Sequence, residues 1–186
     1  MPLSTLDPRP ALVVIDLQKG ILSLPVAHPA SEIVQQAASL ADAFRRRQLP
    51  VVLVNVTGAP PGRTDAPQGD FTPPPDWADL TGELGTHPDD QLITKQRWGA
   101  FTGTSLNDHL QDQDVTQVVL AGIATSIGVE STARSAHEHG YHVVLATDAM
   151  TDIDHDAHSH TIEKIFPRLG ETATTREILG MLDSSS

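Results

Sequence analysis

This chain predicts a three-layer, doubly wound α/β fold with a mostly parallel sheet, formed as one domain over residues 1–186. Two features of the sequence point there. Short apolar runs rich in Val, Ile and Leu recur along the chain, and longer segments with apolar residues at helical spacing lie between them. Strands alternating with helices imply parallel neighbours, right-handed crossovers and helices on both faces of the sheet. Composition agrees: 39% of residues are hydrophobic but only 4% aromatic, so the core should be Val, Ile, Leu and Ala, as suits strands buried on both faces. A chain of 186 residues holds one real core and is too short to expect two.

Taken in order, the predicted strands are residues 11–15, 51–56, 91–94, 118–121 and 142–146, each too short and too β-branched for a helix. Helical periodicity covers residues 31–47, 106–111, 127–139 and 155–166. The basic run Arg45-Arg46-Arg47 ends the first of these helices, where positive charge complements the macrodipole. Residues 58–77 are crowded with Pro and Gly, including Pro73-Pro74-Pro75, and form a predicted long loop. Such loops often cover a site or a subunit contact.

Charge and composition exclude several partners. A net charge of -12 repels nucleic-acid backbones and anionic membrane surfaces. No apolar stretch approaches the roughly 20 residues that span a bilayer, so a soluble, cytoplasmic protein is expected. With Cys 0, disulfides and thiolate metal sites are absent. Among nine histidines the densest group is His155, His158 and His160; on a helix His160 points well away from His158, which argues against a metal site. Asp152 or Asp154 as N-cap explains that segment.

In doubly wound folds ligands bind beyond the carboxyl ends of the strands. The residues there are Asp16, Thr57, Lys95, the turn 122–128 and Asp148. Asp16 ends a buried run, which raises the pKa of a carboxyl, and Lys95 is a candidate partner that would lower it. Gly122 allows close backbone approach after its strand, and the helix that follows presents unpaired N–H groups suited to an oxyanion or carboxylate. Thr125 or Ser126 is the expected N-cap.

Three separated stretches carry a family resemblance: Ala-Leu-Val-Val-Ile-Asp16-Leu-Gln18, Lys95-Gln-Arg97-Trp98-Gly-Ala-Phe101, and Gly122 to Arg134 followed by Val143 to Met150. Together they resemble the isochorismatase-like hydrolase superfamily, with its Rossmann-like fold, over nearly the whole chain. The resemblance implies that Asp16 and Lys95 are the catalytic aspartate and lysine, that Gly128 occupies the place of the catalytic cysteine, and that Ile123–Ala124 matches a cis peptide. Ala124, Thr125, Arg63, Arg97, Trp98, Phe101 and Gln18 are the candidate substrate-binding residues. The Asp-x-His metal motif of nicotinamidases has no counterpart in residues 51–70, so no metal and no other cofactor is expected.

The isochorismatase branch itself carries glycine at the cysteine position. Enol-ether hydrolysis needs a proton delivered to carbon and a water, not a thiol. The resemblance therefore implies a non-covalent hydrolase of a small carboxylated substrate, with Asp16 as general acid and Lys95 as its partner. The Ala124-Thr125 pair looks more like the amidase branches. A catalytically silent binding protein, and an amidase that uses water or a hydroxyl, are the alternatives. A homo-oligomer is expected from the resemblance, with Trp77, Trp98 and the proline-rich loop as contact or lid elements.

Overall fold

In the computed structural model, residues 3–65 and 72–184 are described. The predicted loop 58–77 therefore lies partly outside the described residues, at 66–71. Six strands form one sheet: β1 (Pro10–Ile15), β2 (Val51–Val56), β3 (Gln91–Lys95), β4 (Gln117–Ile123), β5 (His142–Thr151) and β6 (Glu171–Ala173). Their order is β3-β2-β1-β4-β5-β6, and every neighbouring pair is parallel. The helices are α1 (Lys19–Leu22), α2 (Ala30–Arg46), α3 (Leu106–Asp112), α4 (Glu130–Glu138), α5 (His155–His160) and α6 (Thr175–Ser184).

Alternation along β1 explains the three layers. Leu12 and Val14 point to one face, where they join Ile33, Ala37, Leu40 and Phe44 of α2 and Ile178 and Leu182 of α6. Ala11, Val13 and Ile15 point to the other, against Leu106 and Leu110 of α3 and Ala133 and Ala136 of α4. Both sides of β1 are dry, so its residues read as an unbroken apolar run. Each large side chain buried this way contributes roughly 1.5–3 kcal/mol.

Some elements depart from the sequence reading. Residues 127–139 do not start as an α-helix: Thr125–Val129 form a π-type turn, and regular helix begins at Glu130. Residues 155–166 are likewise broken into α5, a π-type turn at Thr161–Ile165 and a 3₁₀ turn at Phe166–Arg168, where Pro167 removes a backbone donor. β6 and α6 are additional; β6 is only three residues at a sheet edge, too short for a period to show. The basic run does more than face the helix dipole. Arg45 makes a two-bond contact with Asp90 (3.2 and 2.8 Å), and Arg47 pairs with Asp183 at 2.6 Å, so α2 is tied to the approach to β3 and to α6.

No helix among the described residues is long and apolar enough to cross a membrane. No group of three or more His, Cys, Asp and Glu side chains among them is placed to hold a metal ion.

Candidate active site

The sheet order places the site. Crossovers run one way from β1 to β2 and β3 and the other way from β4 to β6, so a crevice opens between the carboxyl ends of β1 and β4. Asp16 follows β1 and the turn 122–128 closes β4, with Ile15 level with Gly122 in the pairing. Lys95 ends β3, two strands away, which at about 4.8 Å per strand puts its backbone some 10 Å from β1. Its long side chain crosses β2 to close that gap.

Asp16 has φ 54, a left-handed conformation that Asp tolerates better than most residues, and its N–H still donates to Val54 O at 2.9 Å. The side chain is buried at 5% exposure. Lys95, at 2%, donates from Nζ to Asp16 Oδ2 at 2.7 Å and to Arg97 O at 3.1 Å. Asp16 Oδ1 is buried without a protein partner among the described residues. Burial pushes the Asp16 carboxyl up from 3.8 to about 6, outweighing the attraction of Lys95 and its hydrogen bond, which pull the other way.

Gly122 and Gly128 shape the opposite wall. Gly122 has φ 122, and a Cβ there would meet Ile15 O at 2.0 Å, so only glycine lets β4 pass this close to β1. The following Ile123–Ala124 peptide is cis. A Cβ on Gly128 would lie 3.1 Å from Ile15 Cγ2 and 3.4 Å from Asp16 Oδ2. A side chain at this position would therefore touch the acid, and in this chain that space is left open.

A cavity of about 150 Å3 lies between these walls, lined by Asp16, Lys95, Arg97, Trp98, Ala124 and Gly128 with apolar Ile21, Leu24, Val56, Ile123, Ile127 and Ile153. Trp98, Ile153 and Leu24 are 54%, 49% and 38% exposed and form an apolar rim. A larger groove of about 520 Å3, lined in part by Arg45, Arg46 and His87, opens at the start of β2, on the end of the sheet away from Asp16.

The structure brings Asp16, Lys95, Gly128, Ala124, Arg97 and Trp98 together, and places the other four predicted residues elsewhere. Arg63 is exposed and does not line the cavity. Phe101 packs in the core beside His139 and Tyr141, with ring centroids 5.2 and 6.0 Å away. Gln18 is fully buried and spends its amide on the backbone of Val56, accepting from its N–H at 2.8 Å and donating to its O at 3.1 Å. Thr125 is fully buried too, its hydroxyl 2.8 Å from His158 Nδ1. Neither Thr125 nor Ser126 caps the turn with its side chain; the carboxylate of Asp152 accepts from Ser126 N–H instead, at 2.7 Å. Asp154 is the N-cap of α5. Asp148 holds the start of α6 through Thr175 at 2.7 and 2.9 Å, and Thr57 is exposed outside the cavity. Trp77 packs on α1, where a Cβ on Gly20 would strike its ring at 2.0 Å.

Sequence reasoning missed Ile21, Leu24, Val56, Ile127 and Ile153. They follow or precede strand ends and are apolar, so nothing marks them apart from core residues. Ile153 alone carries a signal, as a large apolar residue between two aspartates.

Comparison with known proteins settles the family. The isochorismatase domain matches residues 10–177. The chain belongs to the isochorismatase family. It is 41% identical to the isochorismatase family protein YwoC of Bacillus subtilis, over 92% of this chain and 93% of that one. A solved isochorismatase family protein from Burkholderia thailandensis superposes with a TM-score of 0.92 at 42% identity, covering 96% of this chain and 98% of the other. The maleamate amidohydrolase of Pseudomonas putida is 28% identical over 94% of this chain and 87% of its own. The protein is thus an isochorismatase-family hydrolase by descent.

Proposed function

We propose that this family member hydrolyses a small carboxylated substrate without a covalent intermediate, by protonating an enol ether of the isochorismate type. The observation that carries this reading is Asp16: a buried carboxyl whose Oδ1 has no protein partner among the described residues, facing a cavity where Gly128 supplies no nucleophile. Asp16 donates its proton to the vinyl methylene carbon, leaving an oxocarbenium ion. Water adds to the adjacent, oxygen-bearing oxocarbenium carbon and returns a proton to the carboxylate, and the hemiketal collapses to a ketone and an alcohol. Atoms and charge balance with water as the only co-reactant.

Protonation of Asp16 decides whether this step runs. With the carboxyl at about 6, about one molecule in ten carries the proton at pH 7. A bound anion raises that share, because a second negative charge opposes ionisation. In this reading Lys95 keeps Asp16 oriented, and Arg97 and Trp98 receive the carboxylate and the apolar body of the substrate.

The ionised majority supports a second reading, in which Asp16 is the general base for water attacking an amide; the similarity to a maleamate amidohydrolase favours it. Thr125 is a poor nucleophile for that reaction, since it is fully buried and lines no part of the cavity. A product assay over isochorismate and a panel of small amides, with wild type and Asp16→Asn in parallel, separates the readings. Formation of ketone from isochorismate by the wild type alone supports the first. Amide turnover supports the second, and ligand-induced stabilisation without turnover points to a binding protein. The apolar rim of Leu24, Trp98 and Ile153 further supports assembly as a homo-oligomer, which light scattering of the purified chain measures directly.

A further inference from the structure

The turn after β4 is held from behind by side chains that never reach the cavity. Asp152, just past β5, is 2% exposed; its Oδ2 accepts from Ser126 N–H at 2.7 Å and its Oδ1 from Ile153 and Asp154 N–H at 2.8 and 3.3 Å. His158 of α5 is 7% exposed and shares a 2.8 Å hydrogen bond between Nδ1 and the Thr125 hydroxyl. The ring of His28 packs on His158 with centroids 4.7 Å apart, and His28 Nδ1 lies 2.9 Å from Thr151 Oγ1.

Burying a carboxylate and an imidazole costs free energy that only these hydrogen bonds offset. A local Ser or Asn would cap the turn more simply. Here both ties come from the β5–α5 junction, 26 and 33 residues along the chain from the groups they hold. The residues they grip, Thr125 and Ser126, lie between Ala124 and Ile127, which do line the cavity. One residue further on, Gly128 lines the cavity beside Asp16, so close that a Cβ there would lie 3.4 Å from Asp16 Oδ2.

We propose that Asp152 and His158 are positioning residues, which fix the 124–128 turn against Asp16 so that the acid stays dry and the cavity wall stays in place. The proposal rests on the reading of Asp16 as the acid or base of the site, but not on which substrate is bound. Burial, and next the nearby His28, hold the His158 imidazole below its ordinary range, so it is neutral at pH 7 and its replacement by an apolar residue changes no charge there.

The test uses the intact chain and needs no substrate. Carbon-detected NMR follows the Asp16 carboxyl titration, and hydrogen exchange follows the Ile127 and Val129 amides, which donate to Ala124 O at 3.2 and 3.1 Å. In His158→Leu the Asp16 midpoint should fall from about 6 by about one pH unit as water reaches it beside Lys95, and the two amides should exchange about tenfold faster. His158→Gln, whose amide can still meet the Thr125 hydroxyl, should restore both. A control with the same loss of Tm but far from the turn, Ile178→Val or Leu182→Ala, should move neither. Where His158→Leu does not fold, Asp152→Asn serves, with exchange at Ser126 as its readout. An unchanged Asp16 midpoint and unchanged amides, or equal changes in the control, would overturn the proposal. Altered midpoints with no turnover of any substrate would uphold it while removing the enzymatic reading.

Discussion

Asp16→Asn should change how stability depends on pH, by an amount that follows from the burial of this one carboxyl. In the folded protein it titrates at about 6, against an ordinary 3.8 in the unfolded chain. The folded state therefore favours the proton. The stability this contributes is fully present below 3.8 and is lost as pH rises through about 6. At about 1.4 kcal/mol per pH unit, the gap between the two values amounts to about 3 kcal/mol. The amide of D16N does not titrate. Subtracting the unfolding free energy of D16N from that of wild type thus isolates Asp16 from the other carboxylates. Urea unfolding followed by the fluorescence of Trp77 and Trp98, at steps between pH 3.5 and 7.5, measures the difference. It should fall by about 3 kcal/mol as pH rises, with most of the change between roughly 4 and 6. Parallel curves, or a difference that grows with pH, would refute the claim that burial outweighs Lys95 at this carboxyl.

Three further outcomes follow from the same geometry. Gly122→Ala drives a methyl into Ile15 O at 2.0 Å with φ 122, so it should cost more than about 4 kcal/mol and yield little folded protein by circular dichroism. Gly128→Ala meets softer contacts at 3.1 and 3.4 Å; it should fold with a loss of about 1 kcal/mol, yet lose turnover at least about tenfold because the methyl stands beside the acid. Lys95→Met removes the cation 2.7 Å from Asp16, and its carboxyl should then titrate above 6 by NMR.

The central strands were legible because burial on both faces leaves a continuous apolar run, as in Val13-Val14-Ile15. Asp16 stood out as the charge that ends such a run, and Lys95 as its counterpart on β3. Their meeting was a matter of strand order, since Lys95 must cross β2, and no local pattern encodes which strands become neighbours. Phe101 shows the reverse difficulty: it follows Trp98 by three residues, yet β3's continuation turns it into the core while Trp98 stays at the rim. The Thr125–His158 pair was invisible because a histidine on a short, polar helix looks like surface until the fold lays that helix across the turn. Arg63 carries a charge suited to an anionic substrate, but charge carries no information about which way a loop runs.

The pH dependence of kcat/KM for isochorismate hydrolysis, in wild type and in Asp16→Asn, tests the proposed general acid most directly. A proton donor titrating at about 6 requires a wild-type rate that falls about tenfold per pH unit above that value, and no turnover by D16N at any pH. Turnover that rises through about 6, or that persists in D16N, would contradict it.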